Sequence, residues 1–179
     1  MRDLSQFSTF PFELPVTPRP LDPPAAEEPA RNGEGGVDCR LCTAADDEFL
    51  WTDERWRLSL YTPSTERGVV LLQPRVHAES FADLPPAEAA ELGPMVGRVQ
   101  AAVESLGGIG RVHVHYWGDG AAHLHVWFYP RAYGQLQLRG AFRTMWTVVL
   151  PDLPDEEVRQ AGEQVARALA AGGSGSPVA

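Results

Sequence analysis

One well-marked helix divides the strand-like parts of this chain into two pairs, and that division limits what the chain can fold into. Leu84-Pro85-Pro86-Ala87-Glu88 opens the helix with prolines and an acid in its first turn, where a missing N–H and a negative charge are both tolerated. Leu92, Met95, Val96, Val99 and Val103 recur on one face until Gly107-Gly108 ends it. Before the helix, Trp56 to Tyr61 alternates like a half-buried strand, and Arg67 to Pro74 reads as a strand stopped by proline, with a hairpin through Thr62-Pro63-Ser64 between them. After it, Arg111 to Tyr116 and His123 to Tyr129 alternate again around Trp117-Gly118-Asp119-Gly120 and should pair antiparallel. Met145 to Leu150 is a further strand candidate. Asp155 opens a last helix to about Ala171, with Val158, Ala161, Val165 and Leu169 on its apolar face. The order predicts an α+β domain, a small antiparallel sheet with helices on one face.

The ends differ from this middle. Residues 1–37 hold Pro11, Pro15, Pro18, Pro20, Pro23, Pro24 and Pro29 and finish in Asn32-Gly33-Glu34-Gly35-Gly36, a composition that sustains neither ladder nor helix. Disorder is favoured over residues 1–20, although Phe7, Phe10 and Phe12 offer groups that can dock on the folded body. The stretch from 172 to 179 begins Gly172-Gly173-Ser174-Gly175-Ser176 and reads as a flexible end. The folded domain is therefore expected over residues 38–171.

Composition narrows the function. The formal net charge is −9 and all 15 cationic residues are Arg. Counterion release needs clustered positive charge, so neither bulk nucleic acid nor an anionic membrane is expected as a partner. Without lysine there is no Schiff base and no Walker-type phosphate lysine. The start lacks the apolar run of a secretory leader, and the longest aliphatic stretch, Val69 to Leu72, is far too short to span a bilayer, which predicts a cytoplasmic protein. In a reducing compartment Cys39-x-x-Cys42 reads as metal ligands or a redox pair before a structural disulfide, with zinc the leading candidate. His123 and His125, two apart on a strand, are expected to share one face with Trp127. Two imidazoles there should ligate a metal, bond a ligand or stay partly wet, because burying them alone is costly.

Cys39-x-x-Cys42, the segment Gly68 to His77, Phe81-Ala82-Asp83-Leu84 and the run His123-Leu124-His125-Val126-Trp127-Phe128-Tyr129-Pro130-Arg131 together resemble the histidine triad (HIT) family of nucleotide hydrolases and transferases. The match covers roughly Cys39 to Arg131. The resemblance implies an α+β fold with an antiparallel sheet of about five strands and two main helices, in a homodimer sharing its sheet. It implies a Cys39, Cys42, His77 and His123 site for structural Zn2+, closed by its four ligands. It also implies that His125 attacks the α-phosphorus of a small nucleotide, giving a nucleotidyl-histidine resolved by water or another acceptor.

The departures sit at the reacting end. Trp127 stands where the family has histidine, or glutamine in its galactose-1-phosphate uridylyltransferase branch, and an indole cannot shuttle a proton. Gly118-Asp119-Gly120-Ala121-Ala122 lacks the hydroxyl and amide donors usual near the phosphate. His115 is the preferred substitute acid, with His113 beside it, against a packing role for either; Trp127 and His123 are expected on the substrate side. Trp117 reads slightly better as a core cap than as a base platform. The competing reading is a zinc-stabilised nucleotide- or partner-binding domain that has lost turnover. Arg131, Arg139 and Arg143 could pair with phosphates but read better as exposed residues serving solubility or surface pairs, and Phe142 to Trp146 as a pocket wall or a dimer surface.

Overall fold

The computed structural model describes residues 7–13, 15–16 and 19–178. Six strands, β1 (Trp51–Thr52), β2 (Trp56–Leu60), β3 (Val70–Pro74), β4 (Ile109–His115), β5 (Val126–Ala132) and β6 (Ser176–Pro177), form one sheet in the order β4-β5-β3-β2-β1-β6. Every neighbouring pair is antiparallel. Among the described residues four α-helices accompany it: α1 (Arg40–Thr43), α2 (Pro86–Glu104), α3 (Arg143–Val149) and α4 (Asp155–Ala171). The fold is α+β, with two main helices as the pattern predicts and one strand more than expected. The two short strands β1 and β6, which pair with each other, lie outside the strands the pattern marks, β6 within the glycine-rich end, while Met145 to Leu150 supplies none. Among the described residues no helix is long and apolar enough to cross a membrane.

The period-two pattern explains which sheet face the helices cover. Trp56, Leu58, Val70, Leu72, Val126 and Phe128 point toward α2 and α4, where Met95, Val99, Val103, Val165 and Leu169 meet them in one core. Each is almost or wholly removed from solvent, and each such side chain contributes about 1.5–3 kcal/mol relative to exposure. The alternate residues, Arg57, Ser59, Leu71, Gln73, His113, His115, Trp127 and Tyr129, lie on the opposite face, and that face carries the chemistry.

Two secondary-structure expectations are corrected. Met145 to Leu150 belongs not to a strand but to α3 and its C-cap. Its β-branched run favours strand locally, yet that preference is weak, and the helix is anchored by its buried Arg143, which pairs with Glu66 and lies over the Tyr129 ring. The strand expected from His123 begins only at Val126, so His123 and His125 lie in the irregular lead-in to β5. Strict alternation does not govern them there. His123 turns to the cysteines, while His125 stays beside Trp127 at a ring separation of 6.0 Å.

Arg143 and Arg131 are buried rather than exposed. Arg143 is 1% exposed and forms an ion pair with Glu66, its guanidinium 5.0 Å from the centre of the Tyr129 ring. Burial pushes the Glu66 carboxyl above its ordinary range, and Arg143 opposes that rise. The N-terminal aromatic residues meet this corner: Phe7 and Phe10 stand edge-on to Phe142 at 5.6 and 5.1 Å, and Trp146 Nε1 donates to the Thr9 carbonyl at 2.8 Å.

Candidate functional site

Cys39, at the start of α1, Cys42 on α1, His77 just beyond β3 and His123 before β5 place four donor atoms within 4.8 Å of one another. Cys39 Sγ is 3.4 Å from His123 Nδ1, and Cys42 Sγ is 3.4 Å from His77 Nδ1 and 3.5 Å from His123 Nδ1. A tetrahedral ion with ordinary Zn–S and Zn–N bonds sets sulfur and nitrogen about 3.5 Å apart, the spacing of these three pairs. The outer nitrogens are engaged as metal-binding imidazoles require: His123 Nε2 bonds the Pro74 carbonyl at 2.9 Å and His77 Nε2 bonds Glu79 Oε1 at 3.2 Å. Both outer bonds fix the tautomer that turns a lone pair inward. Burial opposes ionisation of both thiols. In Cys39 it is outweighed by hydrogen bonds from Cys42 and His77, while in Cys42 it combines with the Cys39 bond to push the thiol up to about 11.

Glu79 holds this site from outside. It accepts from Gly35 N at 2.6 Å, from His77 and from Arg31, and Arg31 NH1 reaches the Gly118 carbonyl at 3.2 Å. Asn32 forms a parallel bridge with Ala121, its carbonyl accepting from Ala122 N at 2.9 Å. Residues 31–36 thus fasten the loop ahead of His123. Sequence reading passed over Glu79, although a carboxylate two residues beyond a candidate histidine ligand is a usable signal; nothing local marks Asn32.

Beside the cluster, a pocket of about 400 Å3 is lined by Leu41, Leu71, Gln73, Trp117, Asp119, Gly120, Ala121, His125 and Trp127. His125 is 8% exposed, and its Nδ1 lies 2.8 Å from the His123 carbonyl. A carbonyl only accepts, so Nδ1 carries a proton, and in the neutral ring the lone pair lies on Nε2. Trp127 stacks flat on Tyr129 at 5.4 Å and meets Tyr61 edge-on at 4.9 Å, forming an aromatic wall.

The structure does not bring His115 to His125. His115 stacks on Trp117 at 4.8 Å, and Trp117 in turn meets Trp127 at 6.2 Å, so two indoles relate the imidazoles. His113 sits 6.1 Å from His115 on the same face of β4. The Nε2 atoms of both are buried and have no partner among the described residues. Burial, with Arg143 nearby, lowers the proton affinity of each ring. Trp117 is 38% exposed and lines the pocket, so it is a wall of the cavity rather than a cap on the main core.

Neither a protein-family model nor a curated protein sequence matches the chain. Solved structures do. A zinc-bound histidine triad family protein from Mycobacterium smegmatis superposes over 75% of this chain and 93% of its own, with 21% identity and a TM-score of 0.53. A hypothetical histidine triad nucleotide-binding protein from Sulfolobus tokodaii matches over 74% and 93% respectively, at 17% identity and TM-score 0.54. A uridylyltransferase matches over 77% of this chain but 46% of its own, at 15% identity and TM-score 0.56. The chain has the histidine triad fold.

Proposed function

We propose that this protein is a nucleotide hydrolase or nucleotidyl transferase of the histidine triad type, acting on a nucleoside phosphate ester, anhydride or phosphoramidate through a nucleotidyl-His125 intermediate. The observation that carries this reading is the 2.8 Å bond from His125 Nδ1–H to the His123 carbonyl, on a side chain that lines the pocket. Nε2 attacks the α-phosphorus, a P–N bond forms, and the bond to the leaving group breaks with its electron pair. The imidazole gains positive charge in that step, and the His123 carbonyl stabilises it through the Nδ1 proton. Water or another acceptor then attacks phosphorus, and the P–N electrons return to Nε2. Trp127 supplies no proton, so the leaving group takes one from solvent. His115, kept neutral by burial, serves beneath Trp117 as support for the pocket wall.

Cys39, Cys42, His77 and His123 would hold zinc as a closed four-ligand set, which joins the N-terminal segment to the sheet and leaves catalysis to His125. The fit of donor spacing and tautomers supports that assignment. Release of nucleoside monophosphate from dinucleoside polyphosphates, phosphoramidates and nucleotide sugars tests the reading, wild type against His125→Ala. Release by the wild type alone is expected, with zinc content equal in both.

A second reading, a nucleotide-binding domain without turnover, is favoured by one observation. The third triad position is fixed as a stacked aromatic wall by Tyr129 and Tyr61. Nucleotide binding with no product from any compound of the panel would select it.

A further inference from the structure

We propose that Gln73 is the side chain that binds the substrate's phosphoryl group, replacing the donors that the loop before His123 lacks; this rests on the pocket being a nucleotide site. The β3–β5 register runs Val70 opposite Phe128, Leu71 opposite Trp127 and Leu72 opposite Val126. Gln73 follows Leu72 on β3 where this ladder ends, and His125 immediately precedes Val126 at the same end. Both side chains line the same pocket.

Gln73 is 4% exposed, and a buried amide is kept only where its hydrogen bonds are made. Ser59 Oγ donates to Gln73 Oε1 at 2.9 Å, which fixes the carbonyl end toward β2. The Nε2 end, with two N–H donors, has no protein partner among the described hydrogen bonds and is left for a ligand in the pocket.

The remaining candidates for that task are otherwise engaged. No arginine lines the pocket, and Asp119 is its one formally charged residue. Arg57, the neighbour of Gln73 across β2, donates to the Leu41 carbonyl at 2.9 Å and to Asp46 at 3.1 Å. Arg31, at the loop, pairs with Glu79 and Glu34. The Ala122 N–H points to the Asn32 carbonyl. A phosphoryl oxygen held beside His125 therefore meets neutral dipoles, and Gln73 presents the one side-chain amide among them.

The test compares affinities for nucleoside 5′-monophosphates, AMP and UMP, with those for adenosine and uridine, by calorimetry on the full chain. The quantity read is the ratio of nucleoside Kd to nucleotide Kd, which isolates the phosphate. Gln73→Met keeps length and flexibility without the amide, and Ser59→Ala removes the group that orients it. The ratio should fall about tenfold in Gln73→Met, the scale of a hydrogen bond to a charged group. It should fall severalfold in Ser59→Ala, with nucleoside affinity unchanged in both. A ratio within twofold of wild type in folded Gln73→Met overturns the assignment, and where that variant does not fold, an unchanged ratio in Ser59→Ala overturns it. Lack of turnover by the wild type with a reduced ratio in Gln73→Met removes the catalytic reading and keeps Gln73. No nucleotide binding by the wild type removes both.

Discussion

Glu79 is where the candidate metal site, the N-terminal extension and the loop before His123 meet, so its substitution should weaken zinc binding without touching a ligand. Oε1 accepts from Gly35 N at 2.6 Å and from His77 Nε2 at 3.2 Å, and Oε2 accepts from Arg31. Removing such an outer partner of a metal-binding histidine costs about 10–100-fold in affinity. The two ends of that range belong to different substitutions. Glu79→Gln keeps one oxygen for His77 but loses the negative charge and turns an N–H toward Arg31, so zinc should bind about tenfold more weakly. Glu79→Ala frees His77 Nε2 and Gly35 N together, and the loss should approach about a hundredfold. The assay is competition for zinc against a chromophoric chelator, with mass spectrometry reading stoichiometry. Glu91→Gln, which alters a carboxylate bonded to Trp56 Nε1 at 3.0 Å on the other side of the sheet, serves as the control. Affinities of both Glu79 variants within twofold of wild type would refute the reasoning, since a tautomer fixed only by His77 itself needs no outer acceptor.

Other expectations follow from buried charge. Arg143→Met should destabilise the fold by about 3–5 kcal/mol, because it leaves the buried Glu66 carboxylate unpaired; urea denaturation measures it, and Glu66→Gln in the same background should recover part of the loss. His113 and His115 have proton affinities lowered by burial, so the folded protein binds fewer protons there than the unfolded chain. Their contribution to stability is present above pH 6.5 and is lost as pH falls below that ordinary value. The melting temperature should therefore drop less between pH 7.5 and pH 5 in His113→Gln/His115→Gln than in wild type, and equal drops would contradict the account. His125→Ala should keep wild-type zinc content and melting behaviour while abolishing the covalent nucleotidyl adduct, read by intact-mass measurement after mixing with substrate.

Much of the site was legible in the residues. Cys39, Cys42, His77 and His123, the set implied by the family resemblance, do converge, and His125 lines a pocket. The helices α2 and α4 were marked at both ends by proline, acid and glycine, signals that act within one turn. The run Met145 to Val149 was misread because β-branched residues favour strand locally, whereas α3 is set by what packs against it. His115 was placed as a substitute acid from its position on the strand, whereas the tertiary structure sets it opposite Trp127 and stacks its ring on Trp117.

By itself the sequence determined the α+β order of elements and the face of each strand that enters the core, since these follow from periodicity, while the candidate metal donors were named through the family resemblance. Only the tertiary structure decided what stands across from what. Gln73 and His125 line one pocket because β3 and β5, some fifty residues apart in sequence, pair side by side. Asn32 closes the loop because the glycine-rich extension folds back on it, and Arg143 is buried because Glu66 lies beneath α3. Such pairings depend on which hydrogen-bonded register buries the most apolar surface, a property of the whole chain and not of any local run of residues.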